Sequence, residues 1–121
     1  MADVKLVKLI KLLADRTNQG SLQWGQTEEK GVFQTSFPNS SVRIESITDK
    51  IPDGGDVTYI GLSVYNSEGD LVESINSFDT SNLGGRTGMD LMDKLYEAAR
   101  RKAMGVDKVL DQTISYLEKK N

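Results

Sequence analysis

The chain has 121 residues and a formal net charge of -3, with 37% hydrophobic and 27% charged side chains and neither histidine nor cysteine. That length accommodates one domain with one core, and the composition is that of a self-folding soluble chain rather than a disordered or fibrous one. Lacking histidine and cysteine, it has no access to the commonest general base, the most reactive nucleophile or the usual transition-metal ligands, and its acidic balance opposes nucleic acid and anionic membranes unless cations cluster locally.

Leu6, Ile10 and Leu13 recur at helical spacing, Val7 widens the stripe, and Asp3 stands near the first turn, where the helix dipole favours a carboxylate. A helix is expected over residues 3 to 17. Lys5, Lys8 and Lys11 interrupt its apolar run, which argues against a membrane span or a secretory core; with no cysteine to oxidise, a cytoplasmic location is expected. These lysines repeat every third residue away from the apolar stripe. They read as a solvated face, being too few, and without interleaved aromatics, for a nucleic-acid patch. Thr17, Asn18 and Gly20 signal the helix end, and Leu22 and Trp24 open extended structure. Trp24, the sole tryptophan, is expected to anchor the helix to a sheet, with a ligand-stacking platform as the alternative.

Residues 31 to 76 alternate apolar and polar side chains between turns at Pro38-Asn39, Asp53-Gly54-Gly55 and Glu68-Gly69-Asp70, the pattern of an antiparallel meander with one buried face. Phe33, Thr35 and Phe37 share a side, and Val42 and Ile44 supply the matching side of the next strand. Pro38 suits the tight turn between them and could not donate to a central ladder. Ile60, Leu62 and Val64 alternate with Tyr59, Gly61, Ser63 and Tyr65 in the strongest strand. In the returning strand Leu71, Glu73 and Ile75 are expected to face opposite Val72 and Ser74. Tyr59 and Tyr65 therefore fall on the face away from Ile60, Leu62 and Val64, as candidates for an aromatic binding surface unless helices or cross-strand neighbours cover them.

Residues 77 to 88 read as a polar loop ending in Gly84-Gly85-Arg86-Thr87-Gly88 before a helix. Glycines and backbone N–H groups at a helix start could admit an anion and Arg86 could clamp it, but the lysine and spacing of a phosphate-binding loop are missing. The plainer reading has Thr87 capping the helix with Asp90 three residues on. That helix is expected over 88 to 103, with Leu91, Leu95 and Ala98 on one stripe and Met92, Tyr96, Ala99 and Ala103 beside it. Gly105 then marks a break with Asp107 as a candidate cap, and Leu110, Ile114 and Leu117 resume helical spacing. Arg100, Arg101 and Lys102 near the end of the first piece suit the dipole there, with anion or partner binding as the alternative for Arg100 and Arg101.

The Trp24 strand, Gly31-Val32-Phe33-Gln34-Thr35-Ser36-Phe37-Pro38 running into Ser41-Val42-Arg43-Ile44, and Leu95-Tyr96-Glu97-Ala98-Ala99-Arg100-Arg101 leading to Gly105-Val106-Asp107 resemble a small bacterial domain family of uncharacterised function over residues 10 to 117. The resemblance implies an α+β architecture and a bacterial or phage origin. It carries no activity, cofactor or catalytic residue.

Asp49, Asp53, Asp56, Asp70 and Asp79 fall in expected turns, where aspartate is ordinary loop chemistry, and the four-residue spacing of Asp107 and Asp111 offers too few oxygen ligands for a metal. No enzyme, cofactor or metal site is expected. The chain reads as a single α+β domain spanning residues 1–121: a four-stranded antiparallel meander, five-stranded if residues 21 to 26 pair, with N-terminal and C-terminal helices on one face. Its expected role is a noncatalytic protein–protein interaction or adaptor domain, self-associating as a homodimer. The alternative is a sponge-like binder of a signalling nucleotide or other small anionic ligand in bacterial or phage defence, using Arg86 and the adjacent glycines with Tyr59, Tyr65 or Trp24 for stacking.

Overall fold

The computed structural model describes residues 4–80 and 86–119, and of residues 79, 80 and 86–89 the backbone alone. Helix α1 (Val4–Asn18) precedes strands β1 (Gly25–Gln26), β2 (Val32–Phe37), β3 (Ser40–Lys50), β4 (Asp56–Asn66) and β5 (Leu71–Asn76); α2 (Ser77–Thr80), α3 (Arg86–Met104) and α4 (Val106–Glu118) follow. The strands form one five-stranded sheet in the order β1-β2-β3-β4-β5, every pair antiparallel. This is an α+β fold, and residues 25 and 26 do pair, supplying the fifth strand. Among the described residues no helix is long and apolar enough to cross a membrane.

Register follows from the alternation. Phe33 faces Ile44, Thr35 faces Val42, and Ile44 and Val42 face Leu62 and Val64, so one side of β2 to β4 is a continuous apolar surface. Ile10 and Leu13 of α1 and Met92, Leu95 and Ala99 of α3 bury against it. Each such large side chain removed from water contributes roughly 1.5–3 kcal/mol. Tyr96 adds a fixed point: its ring lies 5.7 Å from that of Phe33, and its hydroxyl donates to the Gly31 carbonyl at 3.2 Å. Gly31 itself sits at φ 81°, a left-handed turn that favours glycine.

Trp24 joins α1 to the sheet. It is 5% exposed, and its indole N–H donates to Thr17 Oγ1 at 2.9 Å while the Thr17 hydroxyl donates to the Leu13 carbonyl at 2.6 Å. A polar atom pair thus enters the core with its hydrogen bonds made, which removes the cost of burying it.

Three local expectations change. The β3–β4 arms run longer than the apolar pattern suggested, because beyond the core the ladder continues through polar pairs such as Thr48 with Thr58, whose hydroxyls are 3.0 Å apart. The register of β5 shifts between Val64 and Tyr65, so Glu73 faces Val64 but Leu71 faces Tyr65; Leu71 therefore does not share the buried side with Ile75. Residues 77–80, expected as loop, form a helical turn instead, and Ser77 is buried with its Oγ accepting the Ile60 N–H at 3.1 Å. That hydroxyl takes over from β5 where the strand ends.

Thr17→Val should leave the Trp24 N–H buried without its acceptor and cost about 1–3 kcal/mol. Urea unfolding followed by tryptophan fluorescence measures it. Thr17→Ser, which keeps the hydroxyl, should lose less, and equal midpoints for Thr17→Val and the unaltered chain would refute this role.

Candidate functional site

The uncovered side of the sheet carries Gln34, Arg43, Glu45, Ile47, Tyr59, Gly61, Ser63 and Tyr65 by the two-residue period and the observed register. Several of its polar groups bond to neighbours within the chain. Arg43 donates through Nε to Gln34 Oε1 at 2.8 Å, pairs with Glu28 at 3.4 Å, and lies 5.7 Å from the centre of the Tyr65 ring. At the other end of β4 the Tyr59 hydroxyl donates to Asp49 at 2.8 Å, and the Tyr59 ring lies 5.2 Å from that of Phe78 in α2. Between them is a shallow groove of about 280 Å³ with Gly61 and Ser63 among its lining and Ile47, Tyr59 and Leu71 around it. Gly61 shapes that groove, because a Cβ there would lie 2.9 Å from Ile47 Cδ1.

The sequence-selected residues do not converge. Tyr59 and Tyr65 do lie on the open face, but six residues apart along a strand is about 20 Å, too far to sandwich one base. Trp24 is on the opposite side, in the core, with its N–H already bonded to Thr17. Arg86 and Thr87 begin the backbone of α3, which is helical from Arg86 rather than from 88; their side chains, with Gly84 and Gly85, lie outside the described residues, as does the expected Thr87 cap. Arg100 pairs with Glu97 one turn back, and Arg101 with Asp107 across the Gly105 break. Both pairs are exposed and so contribute little stability. The Arg100 guanidinium, by hydrogen bonding, holds the Glu97 carboxyl below its ordinary range.

Asp107 is therefore not the cap of α4. Gly105 occupies the N-cap position at φ 61° with no side-chain hydrogen bond, and the Asp107 carboxylate pairs with Arg101 instead. Around this bend, Thr17 to Gly20 at the end of α1 and Arg101, Lys102 and Lys108 line a cleft of about 550 Å³. Arg101 and Lys102 stand in the last turn of α3, where its carbonyl ends already favour cations.

Beyond the bend the chain behaves differently. None of the residues of α4 is buried, and Val109, Leu110, Ile114 and Leu117 are 55%, 48%, 52% and 62% exposed. Leu110, Ile114 and Leu117 lie at four- and three-residue spacing, so they form one apolar ridge. A second apolar surface lies on the outside of α1, a groove of about 560 Å³ lined by Val4, Val7, Lys8, Lys11, Leu12 and Asp15. The helical spacing of Leu110, Ile114 and Leu117 locates the ridge, but periodicity alone cannot say whether an apolar stripe meets its own fold.

Among the described residues no three His, Cys, Asp or Glu side chains gather as a metal site. Tyr59 and Asp49 join a hydroxyl to a carboxylate, and that hydrogen bond raises the tyrosine pKa.

No family model, curated protein or solved structure matches the chain. What can be said of its role rests on its own surfaces.

The Tyr59–Asp49 bond has a pH consequence. Because the folded-state pKa of Tyr59 is raised, chiefly by this hydrogen bond, the contribution is complete below the unfolded tyrosine value of about 10 and is lost as pH rises through the folded value. In ring-labelled tyrosine NMR titrations, Asp49→Asn should move the Tyr59 transition to lower pH. A Tyr59 transition indifferent to Asp49→Asn would contradict the assignment.

Proposed function

We propose that this protein is a noncatalytic protein–protein interaction or adaptor domain, and that α4 is its principal contact element. The observation that carries the reading is a 13-residue helix none of whose residues is buried, although Val109, Leu110, Ile114 and Leu117 give it an apolar ridge. Helices of this length are marginal in water on their own propensity and draw most of their stability from packing an apolar face. A ridge that meets nothing in its own fold is what a docking helix presents to a partner's groove. The open sheet face is a weaker candidate, since its most prominent side chains, Arg43, Tyr59 and Tyr65, already engage neighbours within the chain.

The combined replacement Leu110→Ser, Ile114→Ser and Leu117→Ser tests this. With all three exposed, the melting temperature of the body should stay within about 5 °C of the parent, each surface substitution usually staying within about 0.5 kcal/mol. Association, measured by light scattering and by comparing proteins retained on the two forms as baits, should be lost. Unchanged association, or a fall of about 10 °C in melting temperature, would overturn the reading, the latter by assigning the ridge to the protein's own core.

A further inference from the structure

Resting on that reading, we infer that the partner of α4 is a second copy of this chain, and that each α4 seats its ridge in the groove on the outer face of the other copy's α1. The two surfaces are complementary in charge. The ridge of Leu110, Ile114 and Leu117 is bordered by Asp111, one turn before Ile114, and by Glu118, one turn after it. The groove on α1 is lined by Val4, Val7 and Leu12 together with Lys8, Lys11 and Asp15, two cations against one carboxylate. Carboxylates beside the ridge thus meet ammonium groups beside the groove, an arrangement that sets register and excludes mismatched partners.

Within one chain this contact is not made: Val4 and Leu12 are 81% and 44% exposed while α4 buries no residue. In a two-fold dimer each copy's α4 meets the other's α1, so both ridges and both grooves are used; the same contact without that symmetry would run head to tail and propagate. Reciprocity also meets the need for area. A single 13-residue helix is about 20 Å long, a short contact on its own, whereas two such contacts approach the 1,200–2,000 Å² typical of a stable interface, in order of magnitude. An anionic membrane fits less well, because the polar side of α4 carries Asp107, Asp111 and Glu118 against Lys108 and Lys119, whereas membrane-surface helices are rich in cations.

The test is charge exchange on the full-length protein, read by light scattering and sedimentation. The unaltered chain should have twice its 13.4 kDa mass in solution. Lys8→Glu with Lys11→Glu should weaken the dimer about tenfold or more, and so should Asp111→Lys with Glu118→Lys, each turning attraction into repulsion. Mixing these two variants should restore dimers, because every α4–α1 contact then again joins opposite charges. The control Lys30→Glu with Lys50→Glu, which makes the same change in net charge elsewhere, should leave the dimer intact.

A monomeric parent protein would overturn the inference, whatever else α4 captures. So would a dimer indifferent to Lys8→Glu with Lys11→Glu, which would point to α4 pairing with α4, and so would failure of the mixed variants to recover. Each of these results leaves the broader reading standing if the Leu110, Ile114 and Leu117 replacement still abolishes association, so the two proposals fail separately.

Discussion

Val42 and Ile44 of β3 and Ile60 and Leu62 of β4 point to one side of the sheet, and α1 and α3 lie across them with Ile10, Leu13, Met92, Leu95 and Ala99. The rest of the molecule depends on this one-sided burial. Because the side-chain period of a strand is two residues, covering one face commits Arg43, Ile47, Tyr59, Gly61 and Tyr65 to the other. A sheet face in water needs its polar groups satisfied, and this one is served by the Arg43–Gln34–Glu28 set and the Tyr59–Asp49 bond.

Around that core, a few polar side chains hold the elements together where apolar packing has no direction. Thr17 joins α1 to Trp24 by accepting one hydrogen bond and donating another, Tyr96 ties α3 to the Gly31 turn, and Ser77 completes the β4 ladder where β5 stops. Hydrogen bonds of this kind add modest net energy but are costly to break once buried, so they select one arrangement among several that would bury similar area.

The protein then divides at Gly105. On one side of it α3 is packed; on the other α4 carries an apolar ridge that the core does not use. A left-handed glycine followed by the Arg101–Asp107 pair turns the chain away from the sheet, whose inner face α1 and α3 already occupy. The contrast with the open sheet face is chemical. On the sheet Arg43 and Tyr59 have partners within the chain beside the exposed Leu71 and Val72, whereas α4 gathers exposed apolar side chains into one ridge whose burial would release ordered water.

Much of this architecture was legible in the chain itself. The three-and-four spacing of Leu6, Ile10 and Leu13, the alternation around Ile60, Leu62 and Val64, and the turn at Pro38-Asn39 report local geometry directly, because backbone period decides which side chains share a face. Tyr59 and Tyr65 were assigned to the outer face on the same ground. The slip at Val64/Tyr65 that separates Leu71 from Ile75 was not legible, since a bulge depends on how two strands meet. Nor was the burial of Ser77, or the separation of Trp24 from the open-face tyrosines, because each depends on contacts between segments far apart in sequence. The same limit applies to Leu110, Ile114 and Leu117: their spacing specifies an apolar ridge, but only the packing of α1 and α3 on the available sheet face decided that this ridge would remain outside it, because one covered face accommodates only as many helices as fit across it.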